Sequence, residues 1–462
     1  MEEEKDKKST VDQHMTRQGR FSSSLAHDND GNKKRVSNHS YGRHLILIVI
    51  TIILAVVLAQ YINQKPLNLP TTMKTSSFLL SYLLGLASSS SSSPATSQCQ
   101  TDSDCSLNGI CNLSTGLCTC DPGWRGADCG VLDLAPAPKK GNGYNLTDQG
   151  TSSWCNQIIH DPNNKSVYHL FASEFTHGCG LDYWTPYSRV IRAESMEGPA
   201  GPYIFKQEIV PAFAHNPAVV YSSVEKAWFL YYIGCETEVN TEKCENKEFS
   251  CGPGNDHNGE SGISAMISKD LIHWTHYGEV MRGVDERSRQ LWDADITNPG
   301  PFAVPNGELA MAYRGCPFNC DVEKEWIGLA IGNSPRGTFH KISTPDPLFK
   351  EYAEDPFLWQ DKRGNWHMLL HSLEEDGGFG GQHNIGRHAY ATSLQGPWTW
   401  GNRSVAYTTK VEFDDGSEIV YWRRERPQVL FSEDGLMRPL FLTNGVQEVG
   451  KKESYSLVQP IN

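Results

Sequence analysis

Five carboxylates gather where this chain keeps returning to one pattern, a polar residue followed by proline. Glu354 and Asp355 precede Pro356, Glu425 stands two before Pro427, and Asp293 and Asp295 lie just ahead of Asn298-Pro299. Cleaving a glycosidic bond takes two carboxyl groups flanking it, one protonated and one ionised. These five acids are the candidates, although Asp293 and Asp295 fit a turn or strand-edge role equally well. His215, before Asn216-Pro217, and His371 can act as an acid or a metal ligand, or can be hydrogen-bonded structural residues. Arg424 and Arg426 flank Glu425 and are expected to keep its carboxyl ionised, the wrong state for a general acid. Their forked donors instead suit an acidic sugar, a sulfate or a phosphate. Asn216, Asn298 and Arg314 complete the polar set expected to bind a substrate.

The elements that position these residues repeat. A polar-Pro step leads into an apolar strand, a turn and a second aromatic-aliphatic strand, with copies near 216, 298, 355 and 426 and a degenerate one near 155. Further strand-like pieces, such as Ile263–Ser268 and Ile327–Ile331, lie between copies, so each period has room for four short antiparallel strands. Repeats of that size are propeller blades. The expected fold is mainly β, with a five-bladed β-propeller over residues 150–458. Proline disfavours the α region for the residue before it, so extended backbone is expected there, aiming five polar groups into one axial pit. Twelve Trp and eighteen Tyr supply platforms for sugar rings as well as core.

The repeated unit resembles the propellers of glycoside hydrolase family 43 and its relatives in families 32 and 68. The resemblance implies an acid at several blade entries: a base or nucleophile, a transition-state stabiliser and a glutamic acid. Here only blade four keeps an acid directly before Pro, at Asp355; blades two and three carry Asn216 and Asn298, blade five Arg426, and blade one Cys155 and Asn156. The missing first-blade Asp counts against ordinary hydrolysis. Two classes therefore stand: a glycoside hydrolase or transglycosylase with a divergent site, and a non-catalytic glycan-binding or adhesion ectodomain. Either way the partner is a glycan or glycoconjugate. No cofactor or metal at the site is expected; a structural calcium in the propeller is compatible with the pattern.

Thirteen cysteines all lie at or beyond residue 99. Six of them, Cys99, Cys105, Cys111, Cys118, Cys120 and Cys129, crowd a segment too poor in aliphatics to fold without staples. By count alone they allow fifteen connectivities. The spacing, with Trp124 and Gly126 before Cys129, resembles the EGF-like family over residues 95–130. That resemblance implies pairs 99–111, 105–118 and 120–129, no bound calcium, and a module that spaces the next domain from the membrane. Among the seven later cysteines an odd number leaves one without a partner in the chain; proximity favours Cys244–Cys251, Cys316–Cys320 and Cys155–Cys179.

The first 44 residues are polar and aperiodic, as in a disordered cytosolic tail. Residues 45–62 carry no charge and are just long enough for a transmembrane helix. Lys33, Lys34, Arg35 and Arg43 before it keep the N-terminus cytosolic, giving a signal-anchored, single-pass type II protein with a lumenal or extracellular C-terminus, in the Golgi or plasma membrane. Residues 63–94 form a Ser-rich stem. Within it Met73 opens a short apolar run with signal-peptide features, an alternative start for a secreted form. Sequons at Asn112, Asn145, Asn164 and Asn402 lie on the same side. A net charge of −13 speaks against nucleic acid as a partner.

Overall fold

Apolar-polar alternation punctuated by Gly, Pro and Asn leaves short antiparallel strands as the way to bury this chain's aromatics. The computed structural model describes residues 98–144, 152–234, 244, 262–283, 291–317, 324–374, 379–381 and 383–462. The tail, the apolar segment 45–62, the stem and Met73 lie outside the described residues. Among the described residues no helix is long and apolar enough to cross a membrane.

The EGF-like module contributes β1 (Gly109–Asn112), β2 (Leu117–Cys120), β3 (Trp124–Arg125) and β4 (Val131–Leu132). Blade one is β5 (Ser153–His160), β6 (Tyr168–Phe175), β7 (Ser188–Ser195) and β8 (Ile204–Val210). Blade two is β9 (Ala214–Ser222), β10 (Ala227–Gly234), β11 (Gly262–Ser268) and β12 (Trp274–Arg282). Blade three is β13 (Asp295–Ala303), β14 (Leu309–Cys316), β15 (Trp326–Gly332) and β16 (Phe339–Lys341). Blade four is β17 (Ala353–Gln360), β18 (Trp366–Ser372), β19 (Gly386–Ala391) and β20 (Thr399–Trp400). After a hairpin of β21 (Lys410–Glu412) and β22 (Glu418–Val420), blade five has three strands, β23 (Arg423–Phe431), β24 (Pro439–Gln447) and β25 (Tyr455–Pro460). Each blade is an antiparallel meander, and the apolar clusters lie between successive blades.

Every innermost strand breaks its ladder at the polar-Pro step. The residue there is left-handed, not extended as expected from the sequence: Cys155 (φ 38°), Asn216 (54°), Asn298 (52°), Asp355 (61°) and Arg426 (53°). Where proline follows, it bars the right-handed region for its predecessor, and the extra residue of a β-bulge takes the left-handed one. Asn and Asp tolerate that backbone, whereas at Cys155 and Arg426 it costs about 1–3 kcal/mol that surrounding contacts must offset. The innermost strands pack closely here: a Cβ on Gly300 would lie 2.2 Å from the Pro356 carbonyl oxygen.

The EGF-like module carries the three disulfides 99–111, 105–118 and 120–129. It is no spacer. Trp124 packs against His388 with the rings tilted at 45° and their centroids 4.9 Å apart, Tyr390 donates to the Ser103 carbonyl at 2.9 Å, and Ser404 donates to Asp128 at 2.6 Å. Trp124, Leu132, Trp359 and Ile461 share one apolar cluster. The chain leaving the module then runs along blade five in place of its missing fourth strand. Leu134 bridges Ile461, the Ala135 amide donates to Pro460, and Asn462 donates to Asp133. Spacing alone could not reveal this, because both partners of the strap are short and irregular. The later cysteines also depart from proximity: Cys179 pairs with Cys244, joining the β6–β7 and β10–β11 loops of neighbouring blades, and Cys155 is a buried free thiol. That excludes Cys244–Cys251 and Cys155–Cys179; Cys316 is disulfide-bonded, and Cys320 lies outside the described residues.

Candidate active site

The five bulge residues converge on the axis and bind one another. Asn216 donates to Asn298 (2.8 Å), Asn298 donates to Asp355 Oδ1 (2.8 Å), and Arg426 donates to Asp355 through Nη1 (3.1 Å) and its backbone amide (3.0 Å). The Cys155 thiol lies against Arg426. Asp355 is 2% exposed and both its oxygens accept protein donors. Burial and the neighbouring Glu354 charge raise its pKa, against the pull of Arg426.

One position earlier in each strand, Trp154, His215, Thr297, Glu354 and Glu425 face the mouth and line a cavity of about 490 Å³. The bulge sends alternate neighbours to different places, one inward to the ring and one up into the pit. Trp154, Trp184 and Phe379 give the pit apolar walls.

Glu354 and Glu425 have opposite electrostatics. Burial works to raise Glu354, but a 3.0 Å bond from His371 Nδ1, with Arg314 and Arg423 nearby, holds it below the usual carboxylate value. His371 itself rises to about 9, because the Glu425, Glu354 and Asp355 carboxylates outweigh its burial. Glu425 is pushed up to about 8, chiefly by burial and further by Glu354 and Asp355, against Arg423 and His371. Oxygens of Glu354, Asp355 and Glu425 and a nitrogen of His371 all lie within 4.8 Å of one another. Such donors can hold a cation, yet a proton on His371 already answers the Glu354 charge.

The remaining candidates sit elsewhere. Arg424 turns away from Glu425 and is bound by Asn444 (2.9 Å), the Thr408 carbonyl (2.9 Å) and Gln459 (2.8 Å). Arg426 is committed to Asp355. Neither reaches the pit, because residues on either side of Glu425 in a strand point away from it. The expectation that they hold Glu425 ionised is overturned for the same reason. Asp293 is tied to Lys341 (2.7 Å) and Tyr313 (2.8 Å) inside blade three, and Asp295 is buried beside it, off the pit lining. His215 lines the pit, pairs with Ser188 at 2.7 Å, and burial holds it neutral, well below its ordinary value. Arg314 lines the pit and pairs with Glu325 at 2.7 Å.

Sequence reasoning missed Arg423, Glu325, Trp154, Trp184 and Phe379. A period-2 reading of β23 from Glu425 would have found Arg423; nothing local marks Glu325 or Phe379, which arrive from separate loops.

The Teneurin-like EGF domain family matches residues 101–131. A xylosidase/arabinosidase from Bacteroides ovatus is 24% identical over 197 residues, 39% of this chain. The match spans 55% of that relative, about half its length. Among solved structures, a family 117 glycoside hydrolase from Zobellia galactanivorans superposes with TM-score 0.47 and 14% identity, covering 72% of this chain and 90% of that one. The endo-1,5-α-L-arabinanase of Thermotoga petrophila gives 0.45 and 14%, covering 71% and 73%. What the site does is read from its own geometry.

Proposed function

We propose that the axial pit is the active site of a glycan-processing enzyme, a glycoside hydrolase or transglycosylase. The observation that carries this is one pair of carboxyls facing a single cavity, with surroundings that push Glu425 up to about 8 and hold Glu354 below the usual carboxylate value. Environments that push two carboxyl pKa values apart assign acid and counter-charge. Glu425 donates its proton to the glycosidic oxygen as the bond breaks, and Glu354, held by His371, stabilises the developing positive charge on the sugar ring. The acceptor, water or a sugar hydroxyl, enters from the open side of the pit and passes its proton to the Glu425 carboxylate that the first step left ionised. Trp154, Trp184 and Phe379 offer faces for sugar rings.

Oligosaccharide turnover by the full chain tests this. Glu425→Gln keeps size and loses the proton, so turnover should fall by about 10²–10⁴ with melting unchanged. A folded variant with full turnover removes Glu425 as the acid. Glycan binding without turnover is the second reading, favoured by Cys155 and Asn156 where related hydrolases carry an acid. Anchoring belongs to the same proposal: residues 45–62 hold the domain on the lumenal or extracellular side. Protease added to sealed vesicles should then remove only the first forty-odd residues; digestion of the EGF-like module reverses the orientation.

A further inference from the structure

Arg423 stands two residues before Glu425, on the same side of β23, and lines the pit with 26% of its side chain exposed. Of the other charged groups of the lining, Asp355 is paired with Arg426 at 3.1 Å, Glu354 with His371 at 3.0 Å and Arg314 with Glu325 at 2.7 Å, and Asp182 adds a further carboxylate. Among the described residues the Arg423 side chain makes one hydrogen bond, a long 3.4 Å contact to Glu425. That carboxyl is the one that must carry a proton to act as an acid, and a protonated partner does not neutralise a guanidinium. The guanidinium also lies over the Phe379 ring, 5.8 Å from its centroid. With five donors on a rigid fork, most of its capacity is left for a ligand.

Resting on the glycosidase reading, we infer that Arg423 sets the specificity of the pit, gripping an anionic substituent of the substrate sugar, a uronic acid carboxylate or a sulfate ester, with the ring against Phe379. Forked pairing with a planar or tetrahedral anion is what this side chain does best. A second consequence follows. The Arg423 charge pulls the Glu425 pKa down; a bound anion cancels that pull and makes Glu425 hold its proton more firmly. An acidic substrate thereby helps to arm the acid that cleaves it, and its alkaline limit of activity lies higher than that of a neutral one.

The test compares matched neutral, uronic-acid-bearing and sulfated oligosaccharides on the full chain, with Arg423→Gln and Arg423→Lys alongside. Wild type should prefer at least one acidic set roughly ten- to hundred-fold, as charged hydrogen bonds allow. Arg423→Gln should bring that ratio near one, and Arg423→Lys should keep part of it, having the charge without the fork. The two acidic arms identify the anion. A folded Arg423→Gln with an unchanged ratio, or a wild type that prefers neutral glycans, overturns this inference and leaves the glycosidase reading standing. A wild type that binds none of the sets overturns both.

Discussion

Glu354 and Asp355 share a peptide bond, and both are almost wholly buried, at 6% and 2% exposure. Their surroundings differ completely. Asp355 belongs to a ring in which its oxygens meet two arginine donors and an amide, and that ring braces left-handed backbone in five blades. Glu354 points to the mouth, where it takes its bond from His371, and where oxygens of Glu354, Glu425 and the edge of Asp355 come within 4.8 Å of one another. The same repeat thus builds one layer whose side chains bind chiefly one another around the axis and a second whose charges meet at the mouth of the pit. Burial alone does not mark a functional residue; what matters is whether its hydrogen-bonding capacity is already spent on the fold.

The largest effects should separate the two layers. Glu354→Gln is expected to lower turnover by about 10²–10⁴ while leaving the melting curve nearly in place. Asp355→Asn leaves Arg426 buried without a counter-charge and should cost about 3–5 kcal/mol of stability, seen as a lower melting temperature. If Asp355→Asn melts like wild type but loses turnover, the division between layers collapses. A pH profile sharpens the same contrast. Glu354 must be ionised, so activity falls on acidification through its depressed pKa; Glu425 must be protonated, so activity falls as pH rises through about 8. Stability carries the matching sign. The Glu425 pKa is raised by folding, so its stabilising contribution is whole below the ordinary glutamate value and is lost as pH climbs through about 8. Glu425→Gln should therefore flatten the decline in stability over that window, measured by denaturant titration at several pH values. The smallest effect is expected at Cys155→Ser, which keeps a small polar group beside Arg426: a change of about 1 kcal/mol or less, with turnover nearly unchanged.

The blades were legible because their signals are local. A proline at a fixed place before the apolar strand, with turn residues after it, located four copies, and the strand-turn-strand pattern alone located the degenerate one at Cys155. The residue facing the ligand was harder to read. Proline marks the bulge, yet the bulge turns the residue beside proline inward and lifts the one before it, so Asp355 looked like the reactive acid and Glu425 like a neighbour of arginines. Strand alternation, applied to β23, places Arg423 rather than Arg424 or Arg426 beside Glu425 in the pit. The Cys179–Cys244 bridge and the Glu325–Arg314 pair join segments distant in sequence, and no local pattern carries them.

The strap beside β25 also sets a timetable. Ala135 and Gln459, bonded through the glutamine side chain, are 324 positions apart. At roughly 5–20 residues per second, the strap waits about 15–65 s after its own synthesis before β25 is made. Trp124 and Leu132 lack the full surface they finally cover until Trp359, then His388 and last Ile461 have been made. Disulfides closing separations of only 9 to 13 residues need nothing from the later chain. The module can be finished early and kept in shape by covalent bonds, ready as a preformed clasp when the fifth blade emerges to receive it.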